Sequence, residues 1–153
     1  MSKTLIVYFS WGGVTRKVAQ QLQKLTGADL LEITTAKKYP TSYLACVASA
    51  KLEMLQGKLP ALTLPQQDLS AYDTILLGYP IWWFTAPQPV FSFLRAYDLS
   101  GKKVAIFCTS GSSPVEKGLN KVQKACGKAE FLPPLTAKGN DTLQPWLQQI
   151  GLK

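Results

Sequence analysis

Residues 8–17 of the chain read YFSWGGVTRK. The apolar run that ends in this stretch, residues 4–9, is rich in β-branched and aromatic residues, which is typical of a strand buried on both faces. From Val14 to Thr26 apolar residues recur with helical spacing, and Gly27 follows where a helix commonly ends. The stretch therefore predicts a strand and a helix that are joined by a loop containing Gly12 and Gly13.

The alternation of strands and helices continues along the rest of the chain. Further strands are predicted at residues 28–33, 73–79, 103–108 and 129–132. Further helices are predicted at residues 41–56, after Pro87 and Pro89, from Ser113 to Gly127, and at residues 142–150. Ser113 and Glu116 have the spacing of a capping box at the start of the third of these helices. This alternation predicts an α/β fold with a parallel sheet and helices on both of its faces.

Composition indicates an ordinary globular protein with one domain over residues 1–153. The chain is 46% apolar and 17% charged, and it contains no histidine. No apolar run reaches the length of a membrane span, and no secretory signal is visible, so we expect a cytoplasmic protein that does not bind membranes. The absence of histidine removes the usual general base and the usual metal ligand, which favours chemistry carried by a cofactor.

The net charge limits the kinds of partner that we expect, and the positions of the cysteines argue against disulfides. The net charge is +8, but the lysines are scattered, whereas nucleic-acid-binding proteins more often concentrate them, so no nucleic-acid partner is expected. The positive charge would still attract an anionic ligand or an acidic partner. Cys46, Cys108 and Cys126 lie far apart, which favours small buried residues over a disulfide framework.

Ligands of parallel α/β sheets bind at the carboxyl ends of the strands, where the strand order reverses. The segments to consider are therefore the loops after the first, third and fourth strands, which read SWGGVT (residues 10–15), YPIWWFTAP (79–87) and TSGSSP (109–114).

The first of these loops has the features of a phosphate site. Backbone N–H groups at a helix start are unpaired and the helix dipole is positive there, so an anion is stabilised without a lysine. Gly12 and Gly13 allow close approach of the main chain, and Ser10 and Thr15 add hydroxyl groups. An ordinary helix start with a Ser or Thr cap is the alternative. The loop matches neither the dinucleotide fingerprint nor the ATP-type P-loop.

The other two loops suggest a site for a planar group. Trp82 and Trp83 cannot easily enter the same core, so at least one is expected to present a flat face to a ligand, whereas Phe84 is expected to pack in the core. Thr109, Ser110 and Gly111 are placed to bond the polar edge of a ring. Together the loops suit a mononucleotide with a large planar head group, of which FMN is the obvious example, and FMN would supply redox chemistry.

The chain resembles the flavodoxins, in particular short flavodoxin-like proteins with a Gly-Tyr-Pro-Ile-Trp-Trp stretch, here residues 78–83. The resemblance implies a three-layer α/β/α sandwich with a five-stranded parallel sheet in the order 2-1-3-4-5, non-covalent FMN and one- or two-electron transfer. It also implies three groups of cofactor-binding residues: Ser10, Trp11, Gly12, Gly13, Val14 and Thr15 at the phosphate; Pro80, Ile81, Trp82 and Trp83 beside the isoalloxazine; and Thr109, Ser110 and Gly111 at its other edge.

Two departures from the family pattern bear on function. Gly12 and Val14 replace a Thr and an Asn of the family loop, so two side-chain donors are lost, each worth about 1 kcal/mol. Flavodoxins that shuttle electrons are typically acidic and dock on basic partners, which would repel a chain of charge +8.

Three functions remain open from the sequence. The first is an FMN-binding redox protein, monomeric or weakly dimeric, that exchanges electrons with a partner protein or with a small acceptor such as a quinone or free flavin. The second is an NAD(P)H-dependent quinone or flavin reductase, in which Trp11 would wall an open substrate cleft. The third is a flavodoxin-fold binding module without FMN. The sequence leaves open whether the protein is an enzyme.

Overall fold

Strands and helices alternate from β1 to β5 in the computed structural model, which describes residues 3–64, 66–109, 116 and 118–152. The strands are β1 Thr4–Tyr8, β2 Asp29–Glu32, β3 Thr74–Pro80, β4 Lys103–Thr109, β5 Glu130–Phe131 and β6 Leu135–Ala137. The helices are α1 Val14–Thr26, α2 Tyr43–Gln56, α3 Gln88–Ala96, α4 Leu119–Ala125 and α5 Leu143–Gln149, and a short 3-10 helix at Asn140–Thr142 precedes α5. None of the helices in these ranges is long and apolar enough to cross a bilayer.

The strands form one parallel sheet with the order β2-β1-β3-β4-β5, and β6 also pairs with β4. This confirms the predicted order 2-1-3-4-5. The order reverses between β1 and β3, so the carboxyl ends of β1, β3 and β4 lie side by side. The loops that follow these three strands therefore meet at one edge of the sheet, as a ligand site requires.

The outermost position of the sheet is filled by two short strands instead of the single strand predicted at 129–132. Pro133 and Pro134 lie between them and have no N–H group to donate to a neighbouring strand. Residues 132–134 lie opposite only two residues of β4, 105 and 106, so the chain bulges before pairing resumes at Leu135.

Two apolar layers cover the sheet. Leu5 and Val7 of β1 lie in the layer that packs against α3 and α4, whereas Ile6 and Tyr8 lie in the layer that packs against α1 and α5. Residues of β1 and β3 are buried on both sides, which explains their continuously apolar sequence. The predicted arrangement of helices on both faces is confirmed.

Helix α4 begins later than the capping-box pattern predicts. Ser113, Pro114 and Val115 lie outside the described residues, Glu116 lies in a turn, and the helix begins only at Leu119. Gly118, which precedes it, has a φ of +74°, and a Cβ at this position would overlap the Phe84 carbonyl oxygen. The left-handed conformation of Gly118 interrupts the helix that was predicted from Ser113 to Gly127, whereas the capping box at Ser113 lies outside the described residues and stays a prediction.

A second close approach explains Gly78 in the middle of β3. A Cβ at residue 78 would overlap the ring of Phe107 on the adjacent strand β4. That ring is itself fully buried and meets Trp146 of α5 edge-on, with 6.0 Å between the ring centroids. Glycine therefore allows an aromatic side chain to lie flat over the strand that ends at the candidate site.

We expect Gly78→Ala to lower the free energy of unfolding by about 2 kcal/mol, because the added methyl group overpacks a core that cannot expand. Chemical denaturation of the wild type and the variant measures this change. Phe107→Leu provides the matched background, since its smaller side chain leaves room for a methyl group, and there Gly78→Ala should cost at least ~1 kcal/mol less. Equal costs in the two backgrounds would contradict the steric explanation.

Candidate functional site

The loop between β1 and α1 contains two glycines in the left-handed region. Gly12 has a φ of +77° and Gly13 a φ of +91°, and α1 begins at the next residue, Val14. Other residues adopt such angles only with strain. Apart from the chain neighbours of each glycine, no atom of the described residues lies within 4 Å of where a Cβ of Gly12 or Gly13 would be, so the described part of the structure leaves this side of the loop open.

Most N–H groups of this loop have no acceptor among the residues that the structure describes. The N–H of Arg16 donates to Ser10 Oγ at 3.2 Å, and the N–H of Lys17 donates to the Gly13 carbonyl at 3.1 Å. Among the described residues no acceptor is bonded to the N–H groups of residues 12–15. The first turn of α1, all of which is described, also contains no acidic residue. N–H donors without a described acceptor at the positive end of a helix dipole are the features that favour binding of an anion.

Thr109, the last residue of β4, connects all three loops. Its hydroxyl shares a hydrogen bond of 2.7 Å with the Thr15 hydroxyl at the start of α1, and both side chains are buried. Its carbonyl accepts the N–H of Ile81, in the loop after β3, at 3.0 Å. The hydrogen bond between the Thr15 and Thr109 hydroxyls thus joins the first loop to the end of β4, and the Thr109 carbonyl joins the loop after β3 to the same residue. Their predicted contacts with a ligand stay a prediction, and Ser110 and Gly111 lie outside the described residues.

The loop after β3 forms a tight turn at residues 82–85. Trp82 and Thr85 exchange two backbone hydrogen bonds, of 2.9 and 3.1 Å, and the two residues between them, Trp83 and Phe84, have φ angles of +51° and +64°. This geometry is that of a type I′ turn, which normally contains Asn and Gly. Bulky residues in the left-handed region cost about 1–2 kcal/mol each. No feature of the sequence predicts such a turn, since Trp-Phe is not a residue pair typical of turns.

Contacts with α2 and Gly118 offset this strain. The Trp83 indole N–H donates to the Val47 carbonyl of α2 at 2.9 Å, and the Lys51 ammonium lies 4.3 Å from the centroid of a Trp83 ring. Gly118 packs against the backbone of Phe84 and Thr85. The turn is therefore anchored on both sides.

The two tryptophans point in different directions, as predicted. Trp83 is directed to α2, whereas Trp82 joins a cluster that we call the aromatic cluster, formed by Phe9, Trp11, Tyr39 and Trp82. The Trp82 ring meets those of Phe9 and Tyr39 edge-on, at centroid distances of 5.6 and 5.3 Å. The expectation that Phe84 packs in the core was wrong, because the turn leaves its side chain 62% exposed.

Trp11 links the first loop to this cluster. Its ring centroid lies 6.5 Å from that of Trp82, and its indole N–H donates to the Pro40 carbonyl at 2.9 Å. Trp82, Ile81 and Pro80 are half-buried. The open N–H groups of the first loop and a partly exposed aromatic surface thus lie at the same edge of the sheet.

A buried carboxylate, which sequence reasoning missed, holds Tyr39 in the aromatic cluster. Glu53 of α2 is buried and accepts hydrogen bonds from the Tyr39 hydroxyl at 2.5 Å and from the Lys37 ammonium at 3.0 Å. Burial, together with the hydrogen bond to Glu53, raises the pKa of Tyr39 far above its usual value, so the phenol stays protonated. The feature of the sequence that could have indicated this contact is Glu53 itself, the one acidic residue of α2.

The three cysteines take no part in this arrangement. All of them are free and buried, which confirms the prediction made for them. Burial raises the pKa of Cys108 and of Cys126 to about 12, so these two thiols stay protonated at neutral pH and are poor nucleophiles.

Comparison with known proteins agrees with this architecture. The family model described as Flavodoxin matches residues 3–150. Flavodoxin 1 of Escherichia coli strain K12 is 30% identical over 111 residues, which are 70% of this chain and 49% of the relative. The match thus spans about half the length of that curated relative.

Two solved structures are similar over almost their whole length. A protein from Bacteroides eggerthii that is assigned as a flavoprotein is 29% identical, with a TM-score of 0.87 and complete coverage of both chains. A flavoprotein from Lactobacillus acidophilus, solved in complex with FMN, has the same fold, with 24% identity, a TM-score of 0.78 and coverage of 95% of this chain and 99% of that chain. On the family match and the shared fold, the chain described here belongs to the flavodoxin family.

Proposed function

We propose that this protein binds FMN non-covalently and transfers electrons through the bound flavin. The observation that carries the proposal is the set of open N–H groups at residues 12–15, at the start of α1. Membership of the flavodoxin family and the FMN complex of the Lactobacillus acidophilus protein support it.

The phosphate of FMN fits the first loop on chemical grounds. A phosphate has several acceptor oxygens and a double negative charge, whereas this loop offers donors and the positive end of α1. Gly12 and Val14 bring no side-chain donor, so in this proposal backbone N–H groups, together with Ser10, hold the phosphate. The open space at both glycines is consistent with such close approach.

The flavin ring fits the surface next to the aromatic cluster. Trp82 is half-buried, and its edge-on contacts with Phe9 and Tyr39 hold the indole in place. In the proposed complex Trp82 orients the ring and shields it from water, and no residue has to act as an acid or a base. Bound FMN supplies the electron-transfer chemistry.

The two other functions considered from the sequence lack such support. A binding module without FMN is not favoured by the family match, and the side-chain donors lost at Gly12 and Val14 are the feature that suggests it. For an NAD(P)H-dependent reductase, the features that speak for it are the positive charge and Trp11, and neither indicates a site for the nicotinamide. We further propose a cytoplasmic location, since three free cysteines are typical of a reducing compartment.

We expect FMN to bind at least about tenfold more tightly than riboflavin, which lacks the phosphate. The open N–H groups contribute binding free energy only through hydrogen bonds to the phosphate. Gly13→Ala should reduce this preference about tenfold, since alanine strains the loop at a φ of +91°. Fluorescence titration of both flavins measures the two affinities.

Gly27→Ala is the matched control for this experiment. Gly27 lies at the other end of α1, has a φ of +73° and equally open space around it, so it imposes similar strain far from the loop. This variant should keep the wild-type preference for FMN. Equal affinities of the wild type for FMN and riboflavin would refute the proposed phosphate site.

Trp82→Leu should weaken FMN and riboflavin to the same extent, by about tenfold, because both flavins carry the ring that Trp82 is proposed to contact. Trp83→Leu is the comparison variant, since Trp83 bonds to α2, and it should have a clearly smaller effect on both affinities. The same fluorescence titrations test this expectation. Unchanged flavin affinities in Trp82→Leu would show that the ring binds elsewhere.

A further inference from the structure

The outward face of α2 is apolar and exposed. Leu44, Leu52 and Leu55 are 78%, 57% and 69% exposed. These side chains line an open groove of about 420 Å³, which we call the α2 groove, together with Val47, Lys51 and Trp83. Among the six large apolar side chains that are exposed in the described residues, four belong to α2 and a fifth, Phe84, belongs to the adjoining turn. Contiguous exposed apolar surface of this kind marks an interaction site.

The α2 groove is continuous with the candidate flavin site. Trp83 lines the groove and directly follows Trp82, the proposed wall of the flavin. Tyr43, at the start of α2, packs against Trp11 of the first loop with a centroid distance of 6.3 Å. A protein seated in the groove would therefore also cover the edge of the flavin site, where electrons must leave or enter.

The charged side chain among the described residues that line the groove is Lys51. The charged residues of α2, which is described throughout, are Lys51 and Glu53, and Glu53 is buried against Lys37. Lys38 and Lys58, before and after the helix, are exposed. The groove is thus apolar apart from Lys51, in a chain of net charge +8.

We propose that the α2 groove docks an acidic redox partner, a protein that presents apolar side chains surrounded by Asp and Glu. The proposal rests on the proposed FMN function, since it is through the flavin that the partner would exchange electrons. The net charge of +8 would steer an acidic partner to this chain, a carboxylate of the partner would face Lys51, and burial of Leu52 and Leu55 would hold the complex. Electron-shuttle flavodoxins are typically acidic, so this chain would reverse the usual polarity.

Two other occupants fit the groove less well. A second copy of the chain would bring the same lysines against like charges. An anionic membrane surface is normally bound by a helix with several basic residues on its polar face, whereas the exposed face of α2 carries only Lys51.

The test uses one haem protein in two forms whose net charges have opposite signs. Native cytochrome c is basic, and cytochrome c with succinylated lysines is acidic. The FMN-loaded protein is reduced with dithionite and mixed with each cytochrome in a stopped-flow instrument. Each electron converts one ferric haem to ferrous haem and oxidises the flavin by one electron, so two haems reoxidise one fully reduced flavin, whose protons pass to water.

We expect the acidic cytochrome to be reduced at least about tenfold faster than the basic one at low salt, with a rate that falls as salt is added. Lys51→Glu should lower the rate with the acidic cytochrome about tenfold. Lys128→Glu is the matched control, because Lys128 is exposed in the loop before β5, at the opposite end of the sheet, and it should change the rate by less than about threefold.

Calorimetric titration of the oxidised protein with the oxidised acidic cytochrome measures docking without electron transfer. Leu52→Ser/Leu55→Ser should raise the Kd about tenfold, because it removes the exposed apolar contacts and leaves the core intact. This readout does not need FMN, so a protein that fails to bind FMN but still docks the acidic cytochrome would refute the proposed function and not the docking surface.

Three results would overturn the docking proposal. The first is equal rates with both cytochromes, or equal effects of Lys51→Glu and Lys128→Glu. The second is binding to phosphatidylcholine–phosphatidylserine vesicles that Leu52→Ser/Leu55→Ser abolishes while cytochrome binding is unchanged, which would assign the groove to a membrane. The third is a dimer in sedimentation analysis that the same double variant dissociates, which would assign it to a second copy.

Discussion

The N–H groups of residues 12–15 impose the constraint on which the rest of the site depends. Within the described part of the chain they have no acceptor, and they lie at the positive end of α1. The left-handed conformations of Gly12 and Gly13 keep them available, since a loop of ordinary residues would not easily adopt these angles. The buried hydrogen bond between Thr15 and Thr109 fixes the loop to the sheet from beneath. A donor-rich loop on a rigid support is prepared for an anion before any ligand arrives.

The turn at residues 82–85 connects this loop to the outer surface of the protein. Trp82 packs in the aromatic cluster, and Trp83 is bonded to α2. One strained turn therefore positions side chains against both the candidate site and α2. The turn keeps its strained angles because contacts on both sides fix it, and strain of this kind often occurs at functional sites. A partner seated on α2 would touch Trp83 directly, and the adjacent Trp82 would be affected through the backbone.

The sequence correctly predicted those features of the fold that depend on the local spacing of apolar residues. Helix α1 begins and ends at the predicted residues, and the alternation of strands and helices correctly indicated the parallel sheet. The three loops at the carboxyl ends of β1, β3 and β4 were also identified. Contacts between distant segments were not predictable in the same way. Gly118, which precedes α4, lies against Phe84 of another loop, and Glu53 bonds to Tyr39, which lies outside its helix. The break between β5 and β6 was signalled by Pro133 and Pro134.

The most direct test of the account is an NMR titration of FMN into the ¹⁵N-labelled protein, repeated with inorganic phosphate. The account predicts that the amide signals of residues 12–15 shift with both ligands, since their N–H groups gain a charged acceptor. The amide of Gly27, whose N–H already donates to the Gln23 carbonyl at 2.7 Å, should not shift. Binding of FMN with unchanged signals at residues 12–15 would contradict the account.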